Sequence, residues 1–241
     1  QSTFYGELNT SAHFSRTHEG NKLQIQTHIN PSTLIFNDTI WQMSPSDISY
    51  CEKQIEINDF EISHAPQYIL IDGIASNREE DELKIQLNDV DLDYIFGTLN
   101  IKNVTFGGNA TGNLLATHLL TGAPRLSTEQ FDVKDFSYNE AIFGDLHLFS
   151  MWDNDNQGIL MKGFIENKED KQTYIDGYIF PTKDSLSLSF DPDKLNIAFL
   201  RPFVSTVMSD ISGIASGHID FFGRFKALNV TGDAYVENLD F

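Results

Sequence analysis

The sequence predicts an all-β chain: an elongated, curved antiparallel sheet of two imperfect repeats, with a short helix in the second. Three observations carry this reading. Short apolar alternations follow one another along the chain, turn-forming residues separate them, and a long part of the pattern recurs. Ile71-Asp72-Gly73 leads through Leu83-Lys84-Ile85-Gln86-Leu87, Leu92 and Phe96 to Gly108-Asn109-Ala110-Thr111-Gly112. Ile175-Asp176-Gly177 leads in the same order through Leu186-Ser187-Leu188-Ser189-Phe190, Leu195 and Phe199 to Gly213-Ile214-Ala215-Ser216-Gly217. Repeats of this kind bury their apolar faces against stacked neighbours, which points to a scaffold rather than to one catalytic pocket.

In chain order, Phe4-Tyr5-Gly6-Glu7-Leu8 resembles Ile142-Phe143-Gly144-Asp145-Leu146, so repeat one is expected over about residues 4–141 and repeat two over about 142–241. The first repeat carries an extra block near Phe36 to His64. Period-two strands are expected at Leu23 to Ile29, Ile55 to Ile57, Leu83 to Leu87 and Leu186 to Phe190. The turns fall at His18-Glu19-Gly20-Asn21, at Asp153-Asn154-Asp155-Asn156-Gln157-Gly158 and at Pro181-Thr182-Lys183-Asp184. Leu195, Phe199, Phe203 and Val207 instead fall at helical spacing, and Pro202 within them makes the helix short or kinked. This helix is expected to plug or cap one opening of a curved sheet. A weaker counterpart runs from Leu92 to Leu99.

Composition narrows the partners. The formal charge of −19 repels phosphate backbones, which argues against nucleic acid and against docking through basic residues on anionic lipid headgroups. Cys51 is the sole cysteine, so no internal disulfide forms and no redox compartment follows. Gln1 at the start and a strand-like pattern running to Asp240-Phe241 suggest an excised piece of a longer protein, with export signals and anchors outside it.

No motif assembles a reaction, and neither enzymatic activity nor a cofactor is expected. The Asp153 to Gly158 stretch begins like a calcium loop, but Phe164 stands where an EF-hand needs its bidentate glutamate. It is expected to be a polar hairpin turn. Ser216 lacks the Gly-x-Ser-x-Gly setting of a nucleophile elbow, and the glycine cluster at Gly107 to Gly112 lacks a phosphate-loop lysine. The histidines show no metal-ligand spacing.

Several segments carry a family likeness. Trp41-Gln42-Met43-Ser44-Pro45, then Ile55-Glu56-Ile57-Asn58-Asp59-Phe60-Glu61-Ile62 and Ile69-Leu70-Ile71-Asp72-Gly73-Ile74-Ala75-Ser76, resemble the repeating body of the TamB translocation and assembly module proteins. So do Leu195 to Leu200, Gly213, Gly217, Gly223 and Leu228-Asn229-Val230-Thr231-Gly232. The likeness lies in the order of the motifs and covers most of the chain. It implies a periplasmic, AsmA-like protein of a Gram-negative envelope, its strands curled into a taco-shaped groove with an apolar interior. It also implies passage of phospholipid between the two membranes, help in outer-membrane protein assembly, an inner-membrane anchor, and an outer-membrane barrel partner of the TamA type. The anchor and the barrel-facing domain of the family are not visible in these residues.

A groove of this kind suits hydrocarbon. Each buried methylene is worth roughly 0.8 kcal/mol, so a sixteen-carbon acyl chain in bare water would cost about 12 kcal/mol. The alternation offers Ile69, Ile71, Leu83, Ile85, Leu87, Leu186, Leu188, Phe190 and Ile219 as the lining that would meet phospholipid acyl chains. The same residues could instead close on one another as a dry sandwich core. Two other functions are weighed: a module that binds protein by strand addition, and a surface adhesin or glycan-binding domain, whose mark would be clustered exposed aromatics that Trp41 and Trp152 are too far apart in sequence to show.

Overall fold

The computed structural model describes residues 4–36, 38–94, 106–121, 123–138, 141–200, 211–225 and 227–240. These form eighteen strands in an all-β, antiparallel fold. Contacts divide the chain into two compact units: Gln1–Val90 with Thr111–Ser127, and Asp91–Ala110 with Thr128–Phe241.

The first unit is built on β1 (Phe4–Glu7), β2 (Thr10–Arg16), β3 (Leu23–Ile29), β4 (Ser32–Phe36), β5 (Thr39–Met43), β6 (Ser46–Cys51), β7 (Gln54–His64), β8 (Gln67–Ala75) and β9 (Leu83–Asp91). Strands β3 and β6 pair directly, so β4 and β5 are a hairpin inserted between them. This hairpin opens the extra block expected from Phe36 onward. Strand β7 serves two partners along one side, with Gln54 to Asn58 paired to β6 and Ile62 and Ser63 to β5, while β8 takes its other side.

Strands β10 (Phe106–Thr117) and β11 (Arg125–Tyr138) straddle the division along the chain. The second unit continues with β12 (Ala141–Asp153), β13 (Gly158–Glu166), β14 (Gln172–Phe180), β15 (Ser185–Asp191), β16 (Leu195–Asn196), β17 (Ser212–Arg224) and β18 (Ala227–Asp240). From β11 to β15 each strand pairs with the next. Strand β17 then takes β15 and β16 along one side and β18 along the other. Strand β12 nevertheless touches β16 and the 3-10 turn Ile197–Leu200, although β13 to β15 separate them in the ladder. The open sheet of this unit therefore curls. The expected repeat boundary at 141/142 falls inside it, at the β11–β12 hairpin where Tyr138 opposes Ala141.

Both units carry the same local device for bending a strand. Asp59, Asp135 and Asn238 adopt left-handed backbone angles, with φ of 50°, 50° and 52°. Each sits in a register shift that leaves one extra residue on its own strand. Such bulges bend a strand and increase its twist. A carboxylate on the adjacent strand accepts the N–H that the first two bulges free: Asp72 Oδ1 from Asp59 at 3.2 Å, Asp145 Oδ1 from Asp135 at 2.9 Å. Asp89 has φ of 53° and donates its N–H to Thr111 Oγ1 at 3.0 Å. The sequence around all four is apolar-x-Asp/Asn-apolar: Ile57 to Phe60, Leu87 to Val90, Val133 to Phe136 and Val236 to Leu239.

Candidate functional site

Directly opposed residues in an antiparallel pair point to the same side of the sheet, so register assigns the faces. In the first unit Ile69 opposes Leu87, Ile71 opposes Ile85, and Gly73 opposes Leu83. Across β7, Ile62 opposes Ile69 and Phe60 opposes Ile71. The five candidates Ile69, Ile71, Leu83, Ile85 and Leu87 therefore share one face. Leu83 and Leu87 are buried, and Ile69, Ile71 and Ile85 are half-buried. Met43, opposite Ile62, carries this face onto β5, where Trp41 is 2% exposed and stands opposite Leu34. Glu61, Asp72, Lys84 and Gln86 occupy the other side.

The second unit repeats the division. Leu186 opposes Ile179, Leu188 opposes Gly177, and Phe190 opposes Ile175. On the next strand Leu188 opposes Phe221 and Phe190 opposes Ile219. Leu186, Leu188, Phe190 and Ile219 thus share an apolar face, while Ser185, Ser187, Ser189, Asp176 and Asp220 lie behind it. The face is wider than the candidates: Leu146, Ile159, Ile165 and Ile175 belong to it and are buried. The alternation Ile159, Met161, Gly163, Ile165 carried the signal for that extension.

Where this sheet curls, the face meets itself. Ala141, Leu195, Ile219 and Phe221 form a buried cluster, and Phe143, Leu186, Phe190 and Ala198 pack against it. Leu186, Phe190 and Ile219 are thus partly core residues. Leu195 is not helical, in contrast to expectation. It lies in β16 opposite Ala215 and is 4% exposed, because its backbone completes a ladder with β17. The turn begins at Ile197, after Asn196, whose Oδ1 accepts the Ala198 N–H at 2.9 Å. Phe199 falls in this 3-10 turn, and Phe203 and Val207 lie outside the described residues. The weaker counterpart in the first repeat is helical at Leu92 to Tyr94, and residues 95–99 lie outside the description.

The polar sides carry their own structure. A concavity of about 570 Å³ in the first unit is lined by His13, Gln26, His28, Asp47, Ser49 and Glu56 among others, away from the apolar candidates. His28 Nδ1 and Asp47 Oδ1 are 2.7 Å apart there. In the second unit the Asp153 to Gly158 stretch is the β12–β13 hairpin turn. Hydrogen bonds from Asn156, Tyr178 and Asp155 hold the Asp153 carboxyl down to about 2. Among the described residues no group of three or more His, Cys, Asp or Glu is placed to hold a metal ion. No helix among them is long and apolar enough to cross a membrane.

Compared with known proteins, the chain matches no family model, no curated protein and no solved structure. The TamB likeness rests on the residue patterns quoted above.

Proposed function

We propose that this chain is a non-enzymatic β-scaffold that shelters phospholipid acyl chains on the apolar faces of its sheets. Its setting in this reading is the periplasm of a Gram-negative bacterium, within an inner-membrane-anchored protein of the TamB kind. There it carries phospholipid between inner and outer membrane and assists outer-membrane protein assembly, meeting a TamA-type barrel through regions outside this chain. One observation supports the reading most: in each unit, register collects the apolar candidates on one side and polar residues on the other. The half-buried state of Ile69, Ile71, Ile85 and Leu188 leaves them apolar surface to share with a ligand.

The test places a photo-crosslinking residue at Ile71 or Leu188, and at Lys84 or Ser187 on the opposite side. Irradiation with phospholipid should label the first two positions and spare the others. Equal labelling of both sides, or none at any position in protein that also purifies lipid-free, would leave a closed sandwich as the better account.

A second reading has its own support. Strand β18 is fourteen residues long and pairs with β17 through twelve of them, and Tyr235 on it is 70% exposed. A strand edge of that length can template another chain. Crosslinks from β18 to a partner strand at regular two-residue intervals would favour it.

A further inference from the structure

The side of the second unit that faces away from its apolar residues carries an ordered row of side chains. Asp132 opposes His147, His147 opposes Phe164, and Phe164 opposes Tyr174. Tyr174 in turn opposes Asp191. Phe190 opposes Ile219, so Asp191 comes next to His218, and the two hydrogen-bond at 2.6 Å. The row crosses the strands at right angles, and its parts lie up to 86 residues apart in the sequence.

Its centre is aromatic. The His147 and Phe164 rings are 4.7 Å apart between centroids, and the Phe164 and Tyr174 rings 6.3 Å, tilted by 31° and 52°. Tyr174 keeps 54% of its surface exposed. Polar pairs border this floor on every side. Across the strands stand Asp132 with His147, at 2.7 Å, and Asp191 with His218. Along the strands stand Gln172, which donates to Glu166 Oε2 at 3.0 Å, and Lys162, which lies 3.5 Å from Asp176. These partners hold one another in place and still present groups outward: the Asp191 and Asp176 side chains are each 62% exposed.

We propose that this surface is a binding site for a neutral glycan. A pyranose has an apolar face of C–H groups and a rim of hydroxyls. It matches an aromatic floor edged by pre-positioned carboxylates, which accept hydrogen bonds, and by the Lys162 ammonium, which donates one. Charge excludes the anionic alternatives, because carboxylates outnumber the single lysine around the floor and the whole chain carries −19. A lone cross-strand pair would be explained by sheet stability alone. A floor of half-buried His147 and Phe164 with an exposed Tyr174, edged by polar pairs on four sides, is not, since exposing Tyr174 to water forgoes the gain of burying it. The inference is independent of the lipid reading, which concerns the other face.

The test is calorimetric titration of the full chain with neutral hexasaccharides: cello-, xylo-, malto- and N-acetylchito-hexaose. At least one should bind, with affinity unchanged between low and high salt. Tyr174→Ala and Phe164→Ala should each weaken it by about tenfold or more, and Asp176→Asn by less. Tyr174 is exposed enough that Tyr174→Ala keeps the fold, which the thermal midpoint verifies. No binding of any hexasaccharide at millimolar concentration overturns the proposal, as does binding that survives both aromatic substitutions. Binding of oligolysine instead, lost on adding salt, would also overturn it and assign the surface to basic peptides through cation–π contacts.

Discussion

The two echoing hairpins, β8–β9 and β14–β15, use matching residues in different registers. Gly73 stands opposite Leu83, whereas its echo Gly177 stands opposite Leu188 and not opposite Leu186, the echo of Leu83. The slip is two residues, so every side chain keeps its face while changing its neighbour. What the repeat preserves is the division of the sheet into an apolar and a polar side, and not particular contacts. The surroundings differ as well. The first hairpin shares its face with an inserted β4–β5 hairpin that brings in Trp41, and the second with strands that curl onto the Ala141, Leu195 and Phe221 cluster.

The sharpest way to break this comparison is to remove the anchor that only one region has. Trp41→Ala should cost about 4 kcal/mol, because the ring is 2% exposed and leaves a cavity among Leu34, Phe36 and Met43. Trp152→Ala, at a half-buried position of the second unit, should cost about 1.5 kcal/mol. Denaturant midpoints with unchanged slopes would measure both, and equal losses would mean that Trp41 is no anchor. Next come the echoing glycines. Gly73 and Gly177 have φ of 117° and 146°, and an added Cβ would strike the carbonyl oxygens of Glu82 and Ser187 respectively. Gly73→Ala and Gly177→Ala should each cost about 3 kcal/mol. That corresponds to a fall of roughly 6–12 °C in Tm for a chain of this size. A loss at one glycine alone would show that the echo is one of sequence and not of backbone.

The faces of these hairpins could be read from the sequence because period-two alternation determines side and is indifferent to register. Register itself could not be read, since an even slip leaves the pattern intact. The bulges hid in the same way. Ile57-Asn58-Asp59-Phe60 looks like a lapse in alternation, yet the extra residue returns Phe60 to the side of Ile57. Leu195 misled for a different reason: spacing to Phe199 and beyond suggested a helix, but pairing with Ala215 of β17 claimed its backbone first. The aromatic row of the second unit left no trace in the linear order, because Asp132, Phe164 and Asp191 become neighbours only when five strands are laid side by side.

The bulges allow a smaller test in both units. Asp135→Ala and Asp59→Ala each force a residue with a Cβ, and without Asp's local hydrogen-bonding capacity, to hold φ near 50°. Each should cost about 1 kcal/mol, and Asp135→Gly should be close to neutral. If Asp135→Gly loses as much as Asp135→Ala, the carboxylate matters and the backbone angle does not. Thermal midpoints of the four proteins, Asp59→Gly included, separate the two causes.

The smallest effect is a dependence on pH that belongs to one unit. His218 is held above its ordinary 6.5 chiefly by its hydrogen bond to Asp191, with Asp220 adding to the effect and partial desolvation opposing it. Asp191 on β15, Asp220 on its own strand and Asp233, its partner across β18, are the charged groups that face it. A histidine whose folded value is raised contributes stability that is fully present below the unfolded value of 6.5. That contribution is lost as pH rises through the folded value. The protein should therefore lose a small increment of stability between about pH 6 and pH 8. His218→Gln should remove that slope while leaving the acid limb, where Asp153 protonates as pH falls towards about 2. Denaturant midpoints across this range, with the His218 resonance followed by NMR, would decide it. A slope that survives His218→Gln would move the titrating group elsewhere, and His218 would then serve the sheet as a hydrogen-bonding partner and not as a charge.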